Sequence, residues 1–224
     1  MFRDRESAGQ KLAERLGGYR EDPSGLILAL PRGGVAVGYP LCLALRLPLD
    51  VLITRKLRAP DNPEYALGAV SETGYVYLNQ EAVSFFSVYE KDFKVYLDEE
   101  IRMQKQEIVR RQGLYRGGRP LPPLAERTVI LVDDGIATGA TFLASVMALK
   151  DLKVKRLVAA IPVGPPERIR QIGRKLDEVV ALWEPEDFVA VGSHYEDFTQ
   201  VEDTDVVRYL KAAEAAWSER AHLA

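Results

Sequence analysis

The sequence has few of the side chains that build metal clusters and disulfides. One cysteine and two histidines occur among 224 residues, which excludes an internal disulfide and leaves a structural zinc site without ligands. Cys42 stands in the apolar run Leu41–Leu45 and has no basic neighbour that would favour a thiolate. We therefore interpret Cys42 as a core residue and not as a nucleophile.

Long apolar runs and an excess of charge of one sign are also absent. No stretch approaches the roughly 20 apolar residues that span a bilayer, and residues 1–6 are charged where a signal peptide would become apolar. The 30 Lys and Arg residues nearly balance 33 Asp and Glu residues, for a formal net charge of −3. We expect a soluble, cytoplasmic protein without membrane or nucleic-acid partners, folded as a single domain over residues 1–224.

Short apolar runs instead alternate with helical patterns along the chain. Runs of strand length occur at 26–30, 49–54, 128–132, 156–163 and 178–182. Helical periodicity occurs at 3–16, 35–45, 141–149, 166–176 and 205–223. Buried strands joined by helices are typical of a parallel sheet that is covered on both faces. The sequence therefore predicts an α/β fold with a doubly wound, mainly parallel sheet flanked by helices.

Two segments exceed what such a sheet requires. Residues 66–78 predict a hairpin, and residues 79–120 predict a helical insertion built on one long amphipathic helix at about 89–112. Either this helix packs only on its own domain or it forms a homodimer surface. Its end is interpreted as a solvated, basic helix terminus that carries Arg110, Arg111, Arg116 and Arg119.

Two adjacent acids follow the strand predicted at 128–132. Asp133 and Asp134 stand where open parallel sheets bind ligands, and the Gly/Thr-rich segment 135–141 then leads into a helix. Backbone N–H groups in such a turn and at a helix N-terminus bind phosphate. Because the carboxylates repel phosphate, they must face vicinal hydroxyls or Mg²⁺ on the same ligand. The pattern predicts a sugar-phosphate site, and a simple helix cap with a tight turn is the alternative.

Rival phosphate motifs are missing. No lysine follows Gly139 as a P-loop requires, and no Gly-x-Gly-x-x-Gly sequence occurs. A kinase or phosphatase that used the acid pair for Mg²⁺ would also need a nucleophile or a second phosphate loop, and the sequence offers neither nearby.

Residues 129–142 closely resemble the signature of the type I phosphoribosyltransferases. The resemblance implies transfer of 5-phosphoribosyl from phosphoribosyl pyrophosphate (PRPP) to a nucleobase-like acceptor, with release of pyrophosphate and Mg²⁺ as cofactor. It also implies that Asp133 and Asp134 are catalytic residues that hold the ribose hydroxyls. The implied cradle for the 5′-phosphate consists of Ala137, Thr138, Gly139, Ala140 and Thr141.

The segment Leu30–Gly34 is similar to the family's pyrophosphate loop. This similarity makes Arg32 and Gly33 pyrophosphate ligands, and Arg32 also a catalytic residue, because a guanidinium matches phosphate oxygens. The charged segment Arg55–Glu64 stands where the family has a flexible catalytic loop. By the same resemblance, Lys56 and Arg58 approach the pyrophosphate, and Lys56 joins the catalytic set.

Residues 183–207 are similar to the hood segment of the purine-salvage members. The base contacts that this similarity implies are Trp183, Phe188, Val189 and Tyr195, although aromatic residues at a strand end also serve as core. Glu196, or its neighbour Asp197, stands at the place of a metal-binding acid; otherwise PRPP alone holds the Mg²⁺. The purine enzymes carry a lysine where this chain has Gly164-Pro165-Pro166, which argues against hypoxanthine or guanine as the acceptor.

A protein of another class would use the same residues: a non-catalytic, PRPP-sensing regulator of the same fold. The presence of Arg32 and Lys56 on the leaving-group side favours the enzyme, because a sensor has no need to labilise pyrophosphate.

Overall fold

The computed structural model describes residues 1–60, 62–89 and 91–221. Its strands are β1 (Gly25–Ala29), β2 (Leu49–Val51), β3 (Thr54–Ala59), β4 (Asn62–Ser71), β5 (Val76–Leu78), β6 (Thr128–Val132), β7 (Arg156–Val163) and β8 (Glu178–Trp183). Its helices are α1 (Arg5–Arg15), α2 (Gly33–Leu45), α3 (Gln80–Tyr89), α4 (Phe93–Arg116), α5 (Ala140–Asp151), α6 (Pro166–Gly173) and α7 (Asp203–Ala221).

A five-stranded sheet with the order β2-β1-β6-β7-β8 forms the centre of the molecule, and every pairing in it is parallel. Leu28 of β1 lies between Asp50 of β2 and Leu131 of β6. The chain extends from β1 to β2 on one side and resumes with β6 on the other. The carboxyl ends of β1 and β6 therefore enclose a topological switch point, the usual ligand site of such sheets. The predicted α/β fold is confirmed.

Helices bury both faces of this sheet, which explains why its strands are apolar throughout. On β6, Ile130 packs with Leu12 of α1 and Leu41 of α2. The next residue, Leu131, belongs to the cluster on the opposite face, with Phe142 of α5. Successive side chains of a strand point to opposite faces, so two-sided burial removes the polar alternation that a half-exposed strand would show.

A second, antiparallel sheet has the order β3-β4-β5. Its β4–β5 pair, with Val70 opposite Val76, confirms the hairpin predicted at 66–78. The flexible loop predicted over Arg55–Glu64 is wrong, because the residues on both sides of Asp61 form strands; Asp61 itself lies outside the described residues. Leu57 explains the strand, since it is fully buried in a cluster with residues of α4.

The insertion between β5 and β6 contains two helices, where the sequence predicted one at about 89–112. The predicted helix corresponds to α4, and Glu90 lies outside the described residues. Phe93 and Ile108 pack with Leu57 of β3, so part of the apolar stripe of α4 is covered by its own domain. The prediction that the helix end is solvated is wrong for Arg111 and Arg116, because both residues are buried.

Two further predictions concern single features of the chain. Cys42 is buried in the apolar cluster of α1 and α2, as expected for a core residue. The terminal helix predicted to reach residue 223 is α7, which extends to Ala221; residues 222–224 lie outside the described part. No helix among the described residues has the length and apolar character of a membrane span.

Candidate active site

The acid pair lies at the switch point, directly after β6. The backbone N–H of Asp134 donates to Asp133 Oδ1 at 2.9 Å. Burial raises the pKa of Asp133 well above its ordinary value, and the charge of Asp134 raises it further. Burial also raises the pKa of Asp134, although Arg5 opposes the shift. A raised carboxyl pKa indicates that the ionised pair has too few partners, so the pair is suited to bind hydroxyls or a cation.

Arg5, the first residue of α1, is a partner of this pair that the sequence analysis missed. Its Nε donates to Asp134 Oδ2 at 2.8 Å, and its Nη1 donates to the Thr199 carbonyl at 2.8 Å. The guanidinium carbon lies 3.8 Å from the ring centroid of Phe198. Only the fold brings these groups together, since 129 positions separate Arg5 from Asp134 and no local pattern links them.

Two glycines after β1 allow the chain to approach the acid pair. A Cβ atom on Gly33 would lie 1.9 Å from Asp134 Oδ2, and one on Gly34 would lie 2.7 Å from the Val132 carbonyl oxygen. Both distances are below any van der Waals contact, so a side chain at either position would displace the loop or the acids. The close approach therefore requires glycine at both positions.

We expect Gly33→Ala to lower the free energy of unfolding by about 1–3 kcal/mol, because the added methyl group overlaps the Asp134 carboxylate. Gly17→Ala is the matched control, since a Cβ atom there would meet nothing within 4 Å. Urea denaturation measures both variants, and the control should stay within about 0.5 kcal/mol of the wild type. Equal stability of the two variants would contradict the close packing of the loop on the acids.

The N-terminus of α5 follows the acid pair through a Gly/Thr-rich turn. Gly139, the residue before the helix, has a left-handed backbone with φ 76°, which favours glycine. No side chain in the described chain caps the N-terminus of α5, and Ala137 and Thr138 are exposed. Free N–H groups and the helix dipole make such a terminus a binding place for an anion.

Arg32 follows β1 and faces carboxylates at the start of α7. Its Nη1 lies 3.0 Å from Glu202 Oε2 and 4.0 Å from Asp203 Oδ1. Asp203 also accepts a hydrogen bond from the Tyr115 hydroxyl at 2.5 Å and one from Arg110 Nη2 at 2.8 Å. An anionic ligand of Arg32 would therefore compete with carboxylates of the protein itself.

The predicted basic residues Lys56 and Arg58 lie on β3. The backbone N–H of Arg58 donates to Glu100 Oε1 at 3.0 Å, which ties β3 to α4. The sequence analysis gave no role to the neighbouring Arg55. Its Nε donates to Gln104 Oε1 at 3.0 Å, and burial, followed by the charge of Arg111, lowers the pKa of Arg55. The approach of Lys56 and Arg58 to a pyrophosphate stays a prediction.

The hood segment, residues 183–207, places two predicted base contacts around a histidine. The Phe188 ring stacks on the His194 ring, with 5.3 Å between the ring centroids. The Trp183 and His194 rings form a T-shaped pair, with 4.8 Å between their centroids. His194 is buried, and its Nε2 has no hydrogen-bond partner in the described structure. Trp183 and Val189 are exposed, so both are accessible to a ligand.

Tyr195, another predicted base contact, lies behind the acid pair. Its hydroxyl donates to the Asp134 carbonyl oxygen at 2.5 Å, and its ring lies 5.3 Å from Phe2 and 5.1 Å from Phe198. The residue is buried and offers little surface to a base. In this structure Tyr195 supports the backbone of the acid pair.

Glu196 and Asp197, the candidate metal ligands, follow Tyr195 and are exposed. Asp197 Oδ1 accepts hydrogen bonds from the backbone N–H and the hydroxyl of Thr199, at 2.9 and 2.6 Å, and these bonds lower the pKa of Asp197. Across the ranges that the structure describes, no three Asp, Glu, His or Cys residues form a group that could hold a metal ion. A divalent cation here would take most of its oxygen ligands from substrate and water, as Mg²⁺ commonly does.

The sheet, the acid pair and the open helix N-terminus at the switch point together define an α/β protein with a candidate ligand site at the carboxyl edge of its parallel sheet. The chain belongs to the phosphoribosyl transferase family, since it matches the model described as "Phosphoribosyl transferase domain" over residues 5–191. The "Putative phosphoribosyl transferase Rv0571c" of Mycobacterium tuberculosis is 39% identical over 219 residues, which cover 98% of this chain and 48% of that protein. The chain thus spans about half the length of the curated relatives that it matches.

Two solved structures have the same fold as this chain. TT1426 from Thermus thermophilus, known from a crystal structure, is 41% identical to this chain in sequence. The match covers 93% of this chain and 97% of the TT1426 chain, with a TM-score of 0.76. AQ2163 from Aquifex aeolicus shares the fold at 11% identity, with a TM-score of 0.50 over 93% of this chain and 85% of its own.

Proposed function

We propose that this chain transfers a 5-phosphoribosyl group from PRPP to a nitrogenous acceptor and releases pyrophosphate. The favoured acceptor is a nucleobase. Membership of the family supports the class of reaction. The observation that carries the choice of donor is the acid pair, Asp133 and Asp134, immediately before the open N-terminus of α5. PRPP combines a vicinal diol with a 5′-phosphate. The acid pair matches the diol, and the open N-terminus of α5 matches the phosphate.

In the proposed complex, each part of the site has a separate task. Asp133 and Asp134 accept hydrogen bonds from the ribose hydroxyls, and the N–H groups of residues 137–141 bind the 5′-phosphate. Arg32 exchanges Glu202 for the pyrophosphate and balances charge on this leaving group. The carboxylates also place negative charge near the sugar, where positive charge develops at C1 as the bond to pyrophosphate breaks.

Mg²⁺ is the proposed cofactor. The buried and poorly compensated charge of the acid pair fits a nearby cation. The ion would neutralise charge on the pyrophosphate of PRPP. Glu196 or Asp197 would hold it together with oxygens of the substrate, or PRPP alone would hold it.

The hood segment is the proposed acceptor site. Trp183 and Val189 are exposed there beside Phe188, so an aromatic heterocycle could stack on this surface. Gly164-Pro165-Pro166 provides no lysine to read an oxo group, which argues against hypoxanthine and guanine.

The test is calorimetric titration of PRPP with Mg²⁺, followed by a pyrophosphate-release assay with a series of nucleobases. We expect Arg32→Gln to lower kcat/KM by about 10- to 100-fold, because a charge on the leaving group loses its partner. Arg102→Gln, a change at an exposed surface ion pair, is the matched control and should behave as the wild type. PRPP binding without release of pyrophosphate in the presence of any acceptor tested would favour the regulator, and a folded protein that does not bind PRPP would overturn both.

A further inference from the structure

A cavity lies away from the acid pair, and the proposed reaction makes no use of it. It has a volume of about 540 Å³ and lies between the end of α4, the connector at 117–122, the start of β2 and α7. Sites for small molecules typically enclose roughly 300–1,000 Å³. Its lining contains none of the predicted site residues, although the Tyr115 hydroxyl donates to Asp203, which faces Arg32.

Arg116, which is buried, and Asp50, which is half-buried, carry opposite charges at this cavity. The Arg116 side chain is 3% exposed, and its Nη2 pairs with Glu72, which is also buried. Its Nε and Nη1 have no hydrogen-bond partner in the described chain, and Nη1 lies 4.0 Å from Asp50 Oδ1, beyond hydrogen-bond distance. Buried donors are almost always bonded, so two unused donors on a residue that lines a cavity point to an acceptor that a ligand supplies.

The rest of the lining is mainly apolar. It includes Leu114 and Trp217, each 44% exposed, together with one proline just before β2 and two prolines of the connector. Lys211, Arg119 and Glu214 also line the cavity, and Arg119 Nη1 lies 3.5 Å from Glu214 Oε1. A ligand therefore needs an apolar body for this surface and a small acceptor group for the guanidinium.

We infer that the cavity binds a small organic carboxylate with an aromatic or aliphatic body. The carboxylate accepts hydrogen bonds from Arg116, and the body packs against Leu114 and Trp217. A single negative charge suits the site better than a phosphate, because Glu72 and Asp50 already lie close to the guanidinium and would repel a second charge. The inference does not depend on PRPP or on transfer activity.

Phenylacetate and its uncharged analogue phenylacetamide test the inference on the full chain. The readout is the indole N–H resonance of Trp217 in a ¹H–¹⁵N spectrum, which Trp183→Phe assigns because the chain has only two tryptophans. Since so small a ligand binds weakly, we expect a dissociation constant on the order of 1 mM for phenylacetate and at least about tenfold weaker binding of the amide. No shift of this resonance, or equal affinity for both compounds, would overturn the inference.

Two exposed positions on α4 give a matched pair of variants. Leu114→Glu places a carboxylate at the cavity and should weaken phenylacetate binding about tenfold or more, whereas Val109→Glu, outside the lining, should leave it unchanged. Arg116→Lys keeps a cation beside Glu72 but removes the Nε donor, and it should weaken binding without unfolding the protein. Equal binding by all three variants contradicts the site. So does a Trp217 shift that follows protein concentration alone, since a second copy would then cover the cavity.

Discussion

Asp133→Asn is expected to lower kcat/KM by about 100- to 1,000-fold while the folded protein stays at least as stable as the wild type. In the proposed mechanism, the amide lacks the charge that the ribose hydroxyls and the developing cation require. It also removes a buried charge whose pKa is raised by burial and by Asp134, and such a charge destabilises the fold when ionised. The pyrophosphate-release assay and urea denaturation measure the two effects separately.

Asp98→Asn, on the exposed surface of α4, is the matched control and should change neither quantity. A fall in the stability of Asp133→Asn that is as large as its fall in activity would show that Asp133 serves the fold. Loss of PRPP affinity with an unchanged turnover number would restrict Asp133 to binding.

The raised pKa of Asp133 also fixes how stability and binding depend on pH. The folded state holds the proton to a higher pH than the unfolded state, so the unliganded protein loses stability as pH rises from the ordinary carboxyl pKa to the raised one. The proposed PRPP complex needs the ionised pair, so we expect PRPP binding to be lost as pH falls through the raised pKa. Asp133→Asn should flatten the stability profile in this window, and denaturation at a series of pH values checks it.

Arg5→Ala is expected to lower the free energy of unfolding by about 3–5 kcal/mol, because it leaves the buried Asp134 carboxylate without its ion-pair partner. The side chains of Arg5 and Asp134 are only 10% and 16% exposed, so solvent screens the pair poorly. The substitution also removes the contact with the Phe198 ring and the hydrogen bond to Thr199. Urea denaturation gives the value directly.

Arg3→Ala is the matched control two residues earlier. The Arg3 side chain is exposed, so solvent screens its ion pair with Asp4 and the variant should unfold at the same urea concentration as the wild type. A double-mutant cycle of Arg5→Ala with Asp134→Asn isolates the coupling between the two charges. A coupling near zero would mean that Arg5 stabilises the protein through packing alone.

The parallel sheet could be predicted from the sequence because its strands carry their own signal. The runs at 128–132 and 156–163 agree residue for residue with β6 and β7, since a strand buried on both faces must be apolar throughout. β3 was missed because its basic residues suit a loop as well as a strand. The acceptors that Arg55 and the Arg58 backbone find, Gln104 and Glu100, come from α4, more than 40 positions away in the chain.

The sequence by itself determined the α/β class, the acid pair at a strand end and the Gly/Thr-rich turn, because each depends on neighbouring residues and on the period of burial. Only the tertiary structure decided which groups surround these residues. Arg5 reaches Asp134, Glu202 reaches Arg32, and Arg116 is buried in the wall of a cavity. The physical reason is that hydrogen bonds and ion pairs act over a few ångströms in space, whatever the separation of their partners along the chain.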